Sequence, residues 1–137
     1  MKGLQSLIRL HKWQLEEERK KLARLLGARA DLEAQCRRIR EDLAAERKKA
    51  GQVDWLFAYP PYAAAAQKRL DSLAESIAEL DGHIAEAEEH VSEAFAELKK
   101  YEVALEKQLE RERQEAARRE QATLDEIALN LHRRKAG

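Results

Sequence analysis

Four histidines and one cysteine are the residues of this 137-residue chain best suited to hold a metal or attack a substrate. His83, Glu86 and His90 recur at intervals of three and four, so a helix would carry them on one face, where a zinc ion can be held by such donors. In a chain with 38% charged residues, the same pattern describes a solvated helix flank, and that reading is preferred. There is no glycine-rich phosphate loop, no HExxH and no Cys-x-x-Cys. No enzyme activity, cofactor or metal site is therefore expected. Cys36 stands alone, which rules out a disulfide within one chain and suits a reducing compartment.

The elements that carry these residues are written in the apolar pattern. Leu4, Ile8, His11, Leu15, Glu18, Leu22, Leu25, Arg29, Leu32, Cys36, Ile39, Leu43, Glu46 and Ala50 alternate spacings of three and four. Ala63, Ala66, Leu70, Leu73, Ile77, Leu80, Ile84, Ala87, Val91, Ala94, Leu98, Tyr101 and Leu105 do the same without a polar intruder. Two heptad stripes of similar length, separated by a break, predict an all-α chain folded as a long two-helix antiparallel coiled-coil hairpin. Helix one is expected over residues 1–50, the hairpin tip over 51–59, and the paired part of helix two over 60–109. Gly51 fits a helix-closing position, and Pro60 and Pro61 fit the opening of helix two. His11, Glu18, Arg29 and Glu46 read as polar insertions that fix register, or as marks of a third helix. In an antiparallel pair the numbers of facing residues add to a constant. A constant of 109 sets Leu32 against Ile77 and brings Arg19 near Glu88 and Asp42 near Arg69, whereas 116 brings Glu33 near Asp81. The charges favour 109.

Beyond Leu105 the seam fails. Eight of the twelve residues 110–121 are charged and only Ala116 and Ala117 are apolar, and a weaker stripe returns at Leu124, Ile127, Ala128 and Leu131 before Arg133, Arg134 and Lys135. Residues 110–137 are thus expected to form an unpaired C-terminal helical overhang, up to about 40 Å long at 1.5 Å per residue. The net charge is zero, yet residues 1–50 carry 14 basic and 8 acidic side chains and residues 51–109 carry 5 and 12. Mutual attraction of the two arms is preferred as the account of this split over a basic patch meant for a partner, and overall neutrality opposes nucleic-acid binding. No apolar run reaches the length of a membrane span, so direct membrane insertion is not expected.

Binding to a partner is the remaining class of function, and three places suggest it. Trp55, Phe57, Tyr59 and Tyr62 crowd the expected tip, where they either plug the hairpin end or dock a partner. Leu10 and Trp13 fall on the outer face of helix one. The stripe of Leu124, Ile127 and Leu131 is an amphipathic helix without a groove of its own.

The seam opening at Leu4, Leu7, Ile8 and Leu10, the Trp/Tyr-bearing central break, and the ending Leu124-Asp125-Glu126 with its basic tail together resemble the FliJ family. These are the small coiled-coil components of the bacterial flagellar, type III, export ATPase complex. The resemblance spans essentially the full length. It implies a cytoplasmic stalk protein peripheral to the inner-membrane export apparatus, with the hexameric export ATPase, the membrane export gate and export chaperones as partners. It also implies gate contacts near the bend, where Phe57, Tyr59, Tyr62 and Ala66 lie, although residues 44–50 lack the tyrosines of the family pattern. The alternatives are a structural coiled-coil scaffold that assembles with itself, or a nucleic-acid-binding helical arm like that of seryl-tRNA synthetases. Concentration-dependent mass would favour the first, and heparin retention near physiological salt the second.

Overall fold

A computed structural model describes residues 2–49, 51–52 and 54–136. Within them the chain is all-helical: α1 spans Lys2–Arg47 and α2 spans Trp55–Ala136, with no strand among the described residues. Long helices follow from a composition rich in Ala, Leu, Glu, Lys and Arg, all strong helix formers. The chain divides into two compact units. One comprises Gln14–Ala94, and the other comprises Met1–Trp13 with Phe95–Gly137.

In the Gln14–Ala94 unit the stripe of each helix turns inward. Cys36, Leu70 and Leu73 form a buried cluster against which Leu32, Ile39, Leu43 and Ile77 pack. Polar contacts run in the order expected of segments pointing in opposite directions: Gln35 with Arg69, Arg29 with Asp81, and Glu18 with His90. Leu32 and Ile77 both pack on the buried cluster, in keeping with a constant near 109. Glu33 and Asp81, the like-charged pair set against 116, do come together, on the shared guanidinium of Arg29. Two flank pairs differ from expectation. Arg19 bonds Glu16 on its own helix at 3.1 Å instead of Glu88, and Arg69 donates to Gln35 Oε1 at 3.4 Å instead of reaching Asp42. Exposed pairs differ by only a few tenths of a kcal/mol, so a neighbour one turn away, already positioned by the backbone, competes on even terms.

In the other unit Ile8 and Leu98 are buried, with Leu4, Tyr101 and Leu105 half-buried. His11 is absorbed by a stack on Tyr101, with ring centroids 4.7 Å apart. Every described seam position of both units is buried or half-buried; Ala50 lies outside the described residues. From Leu109 to the end of α2 every described residue is exposed.

The turn departs from expectation. α1 ends at Arg47, three residues before Ala50, and α2 starts at Trp55, so Pro60 and Pro61 sit inside the helix rather than at its start. Each proline removes one i→i−4 bond, which leaves the carbonyls of Leu56 and Phe57 without a helical donor. Contacts ahead of the prolines offset this loss. Ala58 N–H bonds Asp54 O at 3.0 Å and Trp55 N–H bonds Gln52 O at 3.1 Å, closing the first turn. Gly51 takes a φ of 110°, which glycine adopts without the Cβ penalty of other residues.

Candidate functional site

The turn aromatics divide into two roles. The Trp55 indole Nε1 donates to the carbonyl of Glu46 at 2.6 Å. That carbonyl also accepts from the Lys49 N–H at 3.1 Å, so two donors share one acceptor at the end of α1. Trp55 also stacks on Tyr59 at 4.5 Å, and the Tyr59 hydroxyl accepts from Arg47 Nε at 2.8 Å. These two rings are half-buried and fasten the start of α2 to the end of α1. Phe57, by contrast, is 81% exposed, and Tyr62 is exposed as well. Only the second pair is available to a partner without opening the turn. Trp55→Phe keeps an aromatic ring, though a smaller one, but removes the donor, so it is expected to destabilise by about 1 kcal/mol. Faster amide exchange around Glu46 and Trp55, with little change elsewhere, would be the local signature.

Leu10 and Trp13 are both exposed in the Met1–Trp13 and Phe95–Gly137 unit, Trp13 by 61%. Leu124, Ile127 and Leu131 are exposed on α2 in the same unit. Sequence reasoning missed Leu129, also exposed. At 100° per residue it projects roughly opposite the stripe of Leu124, Ile127 and Leu131, so apolar side chains occur on two sides of this helix. It also missed Leu56, exposed beside Phe57. Its signal was present in the sequence: residues 55–66 contain no charged side chain.

The polar seam residues have partners within the chain. Arg29 donates from Nε to Asp81 Oδ1 at 2.5 Å and from Nη2 to Asp81 Oδ2 at 3.4 Å, and also pairs with Glu33. One guanidinium thus bridges two carboxylates that would otherwise repel. The hydrogen bond from Arg29 holds the Asp81 carboxyl below the usual carboxylate range, and the same bond raises Arg29. Glu18 Oε2 is buried without a hydrogen bond among the described residues, and His90 Nδ1 lies 3.8 Å from it. Because the folded value of Asp81 is lowered, its contribution is present above the unfolded value of about 4 and lost as pH falls through the folded one. Asp81→Asn is therefore expected to flatten the acid side of the stability profile, read as melting temperature from about pH 6 to pH 2.

Among the described residues no group of three His, Cys, Asp or Glu side chains is arranged to hold a metal ion. His83, Glu86 and His90 are all exposed. What the arrangement offers is surface: exposed apolar side chains at the turn, and others along the stretch of α2 after Leu109. A family model described as "Flagellar FliJ protein" matches residues 1–137. No curated protein and no solved structure matches the chain.

Proposed function

The chain belongs to the FliJ family, cytoplasmic, non-catalytic components of flagellar export, and from that premise we propose that it is a stalk that couples the hexameric export ATPase to the export gate and to export chaperones. In this account the two helices pair as an antiparallel coiled coil, and residues 110–137 form an overhang that enters the ATPase ring. The observation that carries it is the uninterrupted exposure of α2 after Leu109, with Leu124, Ile127 and Leu131 on one side and Leu129 on the other. A helix bearing apolar groups on opposite sides suits a site that surrounds it better than a single groove. Leu10 and Trp13 are assigned to the same ring-facing end. The many charges between Glu110 and Gln121 supply weak, replaceable contacts, since exposed ion pairs contribute only about 0–1 kcal/mol each.

The mechanism is allosteric rather than chemical. A stalk that contacts one ring subunit differently from the next favours a different nucleotide state in each, by as much as its affinity for those states differs. The turn faces the gate in this account, with Phe57 and Tyr62 making the contact that Trp55 and Tyr59 are too engaged to make. Titrating the protein into its cognate export ATPase tests the proposal. Stimulated ATP hydrolysis that saturates at a fixed ratio to the hexamer is expected. An unchanged rate, with a mass that rises with concentration, would favour a self-assembling scaffold instead.

A further inference from the structure

Residues 55–66 are twelve consecutive residues without a charged or amide side chain, in a chain otherwise dense in charge. Trp55 and Tyr59 use their side of α2 to hold α1, which leaves the opposite side outward. Leu56, Phe57, Pro60, Pro61 and Ala64 are exposed there, Leu56 by 67%. At 100° per residue these five share one continuous arc, and Lys68 extends the line of Phe57, Pro61 and Ala64. A contiguous apolar patch of this kind marks a docking surface. Charge indicates what docks. From Glu46 to Asp71 the chain carries five basic side chains, Arg47, Lys48, Lys49, Lys68 and Arg69, against three acids, Glu46, Asp54 and Asp71, with Lys49 paired to Glu46. The basic residues bracket the apolar run on both sides.

We propose that this face of α2 docks on an anionic lipid surface, with Leu56 and Phe57 seated among the headgroups and Lys48 and Lys68 on lipid phosphates. Aromatic and aliphatic side chains flanked by lysine and arginine are the pattern of segments that lie in a membrane interface. The seat is shallow. The carbonyls of Leu56 and Phe57 lack a helical donor because of the prolines, so they must stay within reach of water. No helix of the described residues is long and apolar enough to cross a membrane, and none needs to. The proposal gives the lipid a surface whose Phe57 the stalk account gives to the gate; it is read with vesicles alone, without ATPase or gate protein, so either can fail alone.

Co-sedimentation of the full chain with phospholipid vesicles tests it. With about 30% phosphatidylglycerol in phosphatidylcholine, binding is expected at low salt and is expected to vanish near about 0.5 M salt. Pure phosphatidylcholine vesicles should bind at least about 10-fold more weakly. The paired substitution Leu56→Ser and Phe57→Ser should weaken binding by about 10-fold or more, and Lys48→Glu with Lys68→Glu should abolish the preference for phosphatidylglycerol. All four side chains are exposed, so unchanged helicity by circular dichroism is expected and verifies folding. Binding by the serine pair equal to that of the parent overturns the proposal. So does failure of the parent to bind anionic vesicles, which would leave the patch to an apolar groove on a protein.

Discussion

Leu73→Ala is expected to lower unfolding free energy by about 2–3 kcal/mol, at the low end of the range for a buried leucine. Leu73 is only 5% exposed and belongs to a buried cluster of the Gln14–Ala94 unit, with Cys36 and Leu70. The low end applies because a seam between two helices has no deep interior. No large side chain among the described residues is fully buried, so water and neighbouring side chains close part of any cavity. The same truncation at Leu131, where α2 is exposed on all sides, should change stability by less than about 0.5 kcal/mol. Urea unfolding followed by helical circular dichroism measures both. Equal losses at the two positions would mean that the seam does not hold the fold.

The second large effect separates function from stability. Removing residues 110–137 is expected to return the stimulated ATPase to its own basal rate while leaving the urea midpoint unchanged. Replacing Leu124, Ile127 and Leu131 together by serine should act in the same direction with the helix still present. The reason is burial: from Leu109 onward the described residues contribute no buried side chain, so they add little to folding that their loss could take away. If ATP hydrolysis is stimulated equally by the truncated chain, the ring-facing end has been assigned wrongly, and Leu10, Trp13 or the turn becomes the place to look.

What the sequence made legible was the part repeated many times. Each heptad adds one more constraint on the same face, so the seam positions from Leu4 to Leu105 could be read before any contact was known. Gly51 and the exposure from Leu109 onward follow from equally local signals. The turn was harder. Proline usually marks a helix start, and only a long-range bond from Trp55 to the Glu46 carbonyl, with the Trp55–Tyr59 stack, explains a helix that begins five residues earlier. Flank pairing was also obscure, because Arg19 and Arg69 chose among partners nearly equal in energy. The candidate surfaces were only half visible. Aromatic residues at the turn drew attention as a group, yet two of the four are engaged in closing it, while the exposed Leu56 went unnoticed because it is not aromatic.

The pairing of the two helices underlies the seam, and disulfide trapping tests it most directly. In a Cys36→Ala background, Leu32→Cys with Ile77→Cys should form an intramolecular disulfide on mild oxidation, seen as a monomer of altered mobility that reverts on reduction. The two native side chains pack on one cluster, and the proposed antiparallel pairing would keep them together. Rapid trapping of Leu32→Cys with Ile84→Cys instead, or crosslinks only between chains, would contradict the account.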